Sequence, residues 1–140
     1  MTEQFTPEYI AYILKAKALQ ALWMPAVGDA FLVHATGATE VILDWDARDT
    51  GVWTIQLGIG AGSTKHFWTR GTICGPGAVW LPTLFQLIRV IEGAGFHWYR
   101  RTNETWGIHR EGDADRWEVN AYGDDLLAAA QLAVRAVEEK

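Results

Sequence analysis

Apolar and polar positions follow two different periods along this chain, and the changes of period divide it into elements. Ile10, Ile13, Leu14, Ala18, Ala21 and Leu22 recur at three- and four-residue intervals, the spacing of one helix face. Thr6 stands where a cap belongs, Pro7 at the first helical position, and Glu8 at the positive end of the helix dipole. Phe5 and Ile10 occupy the two positions of a hydrophobic staple. The helix is expected to run to about Trp23, with Pro25 ending it.

The period then drops to two. AFLVHA (Ala30–Ala35) and EVILDW (Glu40–Trp45) flank TGAT as a hairpin, and VWTIQL (Val52–Leu57) follows DARDTG. A fourth strand is placed around His66–Arg70, and the glycine-rich stretches Gly58–Thr64 and Gly71–Ala78 read as loops. Helical spacing returns near Pro82 through LFQLIRVIE and stops at Gly93 and Gly95. Three further strands follow: Phe96–Arg101, Trp106–Arg110 and Arg116–Ala121, joined by TNET and EGDAD. Asp124 caps a last helix whose Leu127, Ala130, Val134 and Val137 mark one face.

Strands joined by such short loops pair antiparallel, because parallel neighbours need crossovers of a dozen or more residues. The expected fold is therefore α+β: one domain over residues 1–140, with an antiparallel sheet of six to seven strands packed by three helices. A chain of 140 residues, 49% apolar and 21% charged, suits a single core of that kind. Cys74 is the only cysteine, so no internal disulfide can form, which fits a reducing compartment. The opening MTEQFTPEYI lacks a basic stretch followed by an apolar one, so no signal peptide is expected. No apolar run reaches the roughly 18–20 residues of a membrane-spanning helix. Together these features point to a cytoplasmic protein with no membrane partner. The net charge of −5 disfavours binding to bulk nucleic acid, whose phosphates call for a basic footprint.

Familiar catalytic and ligand spacings fail at named positions. GIGAGSTK (Gly58–Lys65) places its lysine after the Ser-Thr pair instead of before it, and a poor helix former follows, so it is no P-loop. Asp44, Asp46 and Asp49 do not fit a calcium loop, because Arg48 stands where the third acidic ligand belongs. His34 and Thr36 form one H-x-T unit of the kind two-histidine phosphoesterases use in pairs, but His66, His97 and His109 supply no second one. No zinc-ligand spacing and no nucleophile elbow occurs, so neither metal nor cofactor is expected.

The last three strands hold the most promising constellation. Alternation places Phe96, Trp98, Trp106, Ile108, Trp117 and Val119 on a face that packs against helices. The opposite face then carries His97, Tyr99, Arg101, His109, Glu118 and Asn120. Aromatic, cationic and amide groups on a rigid sheet can read a base and a phosphate together, although a face of this kind can equally be merely wet. Eight tryptophans, at 23, 45, 53, 68, 80, 98, 106 and 117, serve the core first and leave room for one or two at a recognition surface.

The short first helix leading to WMPAVGD (Trp23–Asp29), the segment WLPTLFQLIRVIEGAGF (Trp80–Phe96) and the closing DDLLAAAQLAVRAVEE together resemble a group of small phage and prophage proteins with an α-β-α sandwich. The resemblance implies an accessory protein of the host-cell cytoplasm that acts by binding. Such proteins inhibit a host enzyme, or sequester a phosphorylated nucleotide signal of antiviral defence. These motifs carry no catalytic residues. Three readings follow: a non-enzymatic binder of a small phosphorylated nucleotide or host protein, an oligomeric assembly module without a small ligand, and a phosphoesterase using His34.

Overall fold

The computed structural model describes residues 5–57, 64–101, 104–112, 115–121 and 124–139. It is α+β, as expected, but the described strands form two antiparallel sheets in place of one, and the described helices number five in place of three. The chain contacts cluster into two compact units, Leu22–Leu81 and Met1–Ala21 with Pro82–Lys140. None of the described helices is long and apolar enough to cross a membrane.

The unit Leu22–Leu81 holds strands β1 (Ala30–Val33), β2 (Thr39–Trp45), β3 (Gly51–Gln56), β4 (His66–Thr69) and β5 (Ala78–Leu81), in the order β4-β3-β2-β1-β5. The first four form a meander. β5 arises within and just after the glycine-rich stretch read as a loop, and pairs back onto β1 with Phe31 opposite Trp80. A short helix precedes it (Arg70–Ile73), capped by Thr69. Ile73 packs with Phe31, Val33, Ile42, Val52 and Ala78 as the core of this unit, and Trp23, Trp45 and Trp68 lean against it.

The other unit contains three longer helices, a short one and the second sheet, of order β6-β7-β8. Its strands are β6 (His97–Arg100), β7 (Thr105–His109) and β8 (Arg116–Asn120). Its helices are Pro7–Lys15, the four-residue Lys17–Gln20, Leu84–Gly93 and Asp125–Glu138; in chain order, with Arg70–Ile73 as α3, they are α1, α2, α4 and α5. The expected first helix breaks at Ala16, whose ψ of 70 leaves the helical region. Tyr9, Ile13, Ala16 and Leu19 are buried, whereas Leu14 and Leu22 are exposed. Tyr9 earns its place in the core through a bond from its hydroxyl to the Pro82 carbonyl at 2.7 Å. In α5 the expected face Leu127, Ala130, Val134 and Val137 is fully buried only at Ala130, the other three being half-buried, and the buried side is Ala128, Ala129, Ala130, Ala133 and Ala136 with Leu132. Small side chains let this helix approach its neighbours α4 and the sheet closely.

Candidate functional site

The three-stranded sheet brings all six sequence-predicted residues onto one face. Its register sets His97 opposite His109 opposite Arg116, then Tyr99 opposite Gly107 opposite Glu118. The third rank pairs Thr105 with Asn120, beside Arg101, whose N–H bonds the Thr105 carbonyl. The reverse face carries Trp98, Trp106, Ile108, Trp117 and Val119, with Trp106 and Ile108 buried and Trp98 stacked on Trp106 at 5.0 Å. The helix α5 docks there through Asp125, which accepts bonds from Trp106 Nε1 at 2.8 Å and Arg100 at 3.2 Å. Register therefore adds Arg116 and Thr105 to the polar face.

Gly107 decides how this face is built. A Cβ at that position would lie 2.4 Å from Tyr99 Cζ and 2.5 Å from its hydroxyl, so only glycine lets the side chain lie across the middle strand. The Tyr99 hydroxyl thereby reaches the third strand and donates to Glu118 Oε2 at 2.7 Å. Arg101 donates to the other oxygen of Glu118 at 3.2 Å, and Thr105 Oγ1 donates to Asn120 Oδ1 at 3.1 Å. The Tyr99 ring stands 5.6 Å from the His109 ring, and the Arg116 guanidinium lies 5.8 Å from its centre. The His97 and His109 rings are 5.5 Å apart.

These contacts set the titration of the central pair. Partial burial, and then the bond to Glu118, raise the Tyr99 phenol above its ordinary value. The Tyr99 bond, with Arg101 and Arg116 nearby, holds the Glu118 carboxyl below the usual range. Beside them a solvent-open depression of about 350 Å³ is lined by Arg101, Thr105, Glu118, Val119 and Asn120. The face can thus offer an aromatic ring, fork-shaped cations and amide groups within one surface.

The other sequence candidates are placed as structural groups. His34 is exposed in the β1–β2 turn, and Thr36 Oγ1 accepts the Ala38 N–H at 3.2 Å, so the H-x-T hydroxyl closes a hairpin. Asp46 accepts bonds from the Thr50 hydroxyl at 2.6 Å and the Gly51 N–H at 3.0 Å, organising the β2–β3 turn. Asp49, at φ 58, pairs with Arg70 at 3.0 Å. The Gly58–Ser63 part of the glycine-rich loop lies outside the described residues. Among the described residues no group of three or more His, Cys, Asp or Glu side chains could hold a metal ion. Trp53 is the tryptophan that stands exposed among them, at 41%.

A further polar cluster lies in the five-stranded sheet, at residues to which no sequence motif points. Glu40 projects from β2 onto the core side of the five-stranded sheet and is only 4% exposed. Its Oε1 accepts bonds from the Thr54 hydroxyl at 2.5 Å and Trp68 Nε1 at 3.4 Å. Its Oε2 faces His66 Nδ1 at 3.1 Å. Burying a carboxylate is costly unless such donors surround it, so the arrangement is a constructed one.

Comparisons with protein-family models, with curated proteins and with solved structures found no match to this chain.

Proposed function

We propose that this protein is a non-enzymatic binding protein of the phage accessory type, and that the polar face of β6–β8 holds a small phosphorylated nucleotide. The observation that carries the reading is the position of Tyr99, laid over Gly107 between His109 and Arg116. An aromatic side chain of this kind stacks a base, worth about 1–3 kcal/mol per base in single-strand binding proteins. Guanidinium groups recognise phosphate by paired donors, which Arg116 and Arg101 supply on either side of the ring. Glu118 holds Tyr99 and Arg101 in place from the third strand, so less side-chain freedom is lost on binding. In the cell, such a protein would act by sequestering a nucleotide signal of antiviral defence.

Thermal denaturation with a panel of cyclic and linear nucleotides tests this directly. A member of the panel raises the melting temperature of the native protein and is released chemically unchanged on denaturation, while Tyr99→Ala and Arg116→Ala remove the shift. No shift with any member rejects the reading.

A second reading, an assembly module, draws on the outer face of the five-stranded sheet. Trp53 and Phe67 are 41% and 43% exposed there and meet edge-on at 5.0 Å. Exposed paired aromatics suit burial against a second copy. This reading expects a stable oligomer that Trp53→Ala dissociates; a monomer at micromolar concentration in the native protein counts against it.

A further inference from the structure

The geometry of the Glu40 cluster points to a nucleophilic histidine: we propose that His66 Nε2 accepts a phosphoryl group from a small acyl phosphate or phosphoramidate, with Glu40 as its positioning residue. Three adjacent strands converge on this carboxylate. Thr54 stands opposite both Ile42 of β2 and His66 of β4, so Glu40, Thr54 and His66 share the core side near one end of the sheet. Trp68 Nε1 can only donate, and with Thr54 it fixes Oε1 as an acceptor. The other carboxylate oxygen is directed at His66 Nδ1, which places the imidazole proton there and the lone pair on Nε2. Glu40 is 6% exposed by its side chain and His66 46%, so the anchor is sheltered and the ring is accessible. A carboxylate that orients an imidazole through Nδ1 and stabilises its cationic form is the arrangement that activates Nε2. Lys65, exposed and adjacent in sequence, adds a cation suited to an anionic donor.

The step is balanced without a further reagent. The Nε2 lone pair forms a bond to phosphorus, and the phosphorus–oxygen bond of the acyl phosphate breaks with its electron pair leaving on the carboxylate product. With phosphoramidate, whose nitrogen already carries its third proton in the zwitterionic form, the phosphorus–nitrogen bond breaks instead and the nitrogen departs with its electron pair as ammonia. While the Nδ1 proton stays in the bond to Glu40 the product is a phosphoimidazolium paired with that carboxylate, and passage of the proton to Glu40 gives the neutral phosphoimidazole ring.

The molecule supplies its own controls, because His34, His97 and His109 report the reactivity of histidines without a buried carboxylate. The native protein is incubated with acetyl phosphate or phosphoramidate, and acid-labile phosphohistidine is located by mass spectrometry over time. His66 is expected to label at least about tenfold faster than exposed His34, and Glu40→Gln to remove that advantage while leaving the other three rates unchanged. Labelling of His66 no faster than His34 in the native protein overturns the proposal, whatever the stability of the variant. Equal His66 rates in native protein and a folded Glu40→Gln variant overturn it as well. Both outcomes are independent of nucleotide binding at the β6–β8 face.

Discussion

Gly107 and Asp46 show how much single positions set in this molecule. A Gly107→Val side chain would occupy the space of the Tyr99 phenol, whose far end must swing away and release Glu118. The Tyr99 phenol, raised above its ordinary value of 10.0, is expected to return toward it in this variant. A residue-specific NMR titration reads the change, and an unaltered Tyr99 titration would show that the side chain does not depend on Gly107. In the native chain the raised phenol stabilises the fold fully below 10.0, and that contribution is lost as pH rises through the folded value. Asp46 works in the opposite direction. The Thr50 hydroxyl, with the Thr50 and Gly51 backbone, holds its carboxyl below the ordinary 3.8. Its contribution is therefore complete above 3.8 and is lost as pH falls through the lower folded value. Denaturant midpoints measured down the acid range should fall less steeply in Asp46→Asn than in the native protein; equal slopes would contradict the assignment. Alternation alone assigned His97, Tyr99, Arg101, His109, Glu118 and Asn120 to one face. Arg116 and Gly107 were overlooked because their roles depend on which residue stands opposite which, and that register follows from pairing, not from pattern. The Glu40 cluster left a fainter trace. Glu40, Thr54 and His66 are polar residues in phase with the core residues or partners Ile42, Val52 and Trp68, a conflict visible in principle once the three strands are known to adjoin.

At the level of elements, the starts of α1 and α5 were legible at Thr6 and Asp124, whereas the break at Ala16 and the capping box of α4 were not. Thr83 and Gln86 form a reciprocal capping box at the start of α4, with bonds of 3.2 and 2.9 Å between side chain and backbone. Thr83→Ala should cost about 1 kcal/mol, lowering the melting temperature by roughly 3–5 °C; no change would mean that the cap is not used in solution. Thr6 and Asp124 cap α1 and α5 as their positions suggested, and the Thr6 hydroxyl also donates to Asp124 at 3.0 Å. The buried faces were harder to read. On α5 the expected Ala130 is buried but Leu127, Val134 and Val137 are only half-buried, while Ala128, Ala129, Ala133 and Ala136 are buried with Leu132, because close approach of a helix favours small side chains. Ala133 is fully buried on the inner side of this helix. Ala133→Leu should therefore destabilise the chain by about 1–3 kcal/mol in equilibrium unfolding, and a neutral or stabilising result would show the helix packs more loosely.

For the whole molecule, the α+β class was legible from the order of periods, and the division into two sheets was not. Local strand pairing follows from short connections, as the meander β1–β4 illustrates. β5 pairs with β1 across nearly fifty residues of chain, and its four residues lie against a glycine-rich stretch that hid it. With β5 closing one sheet, the last three strands became a second, and their polar face became a surface of its own. The central proposal is that this face takes a phosphorylated nucleotide. Backbone NMR of the native protein, titrated with the nucleotide that most raises its melting temperature, tests it most directly. The largest saturable shifts are expected at Tyr99, Gly107, His109, Arg116 and Glu118, weakening as salt is added because the Arg contacts are exposed. Shifts centred instead on Glu40 and His66, or no saturable shift at all, would contradict it.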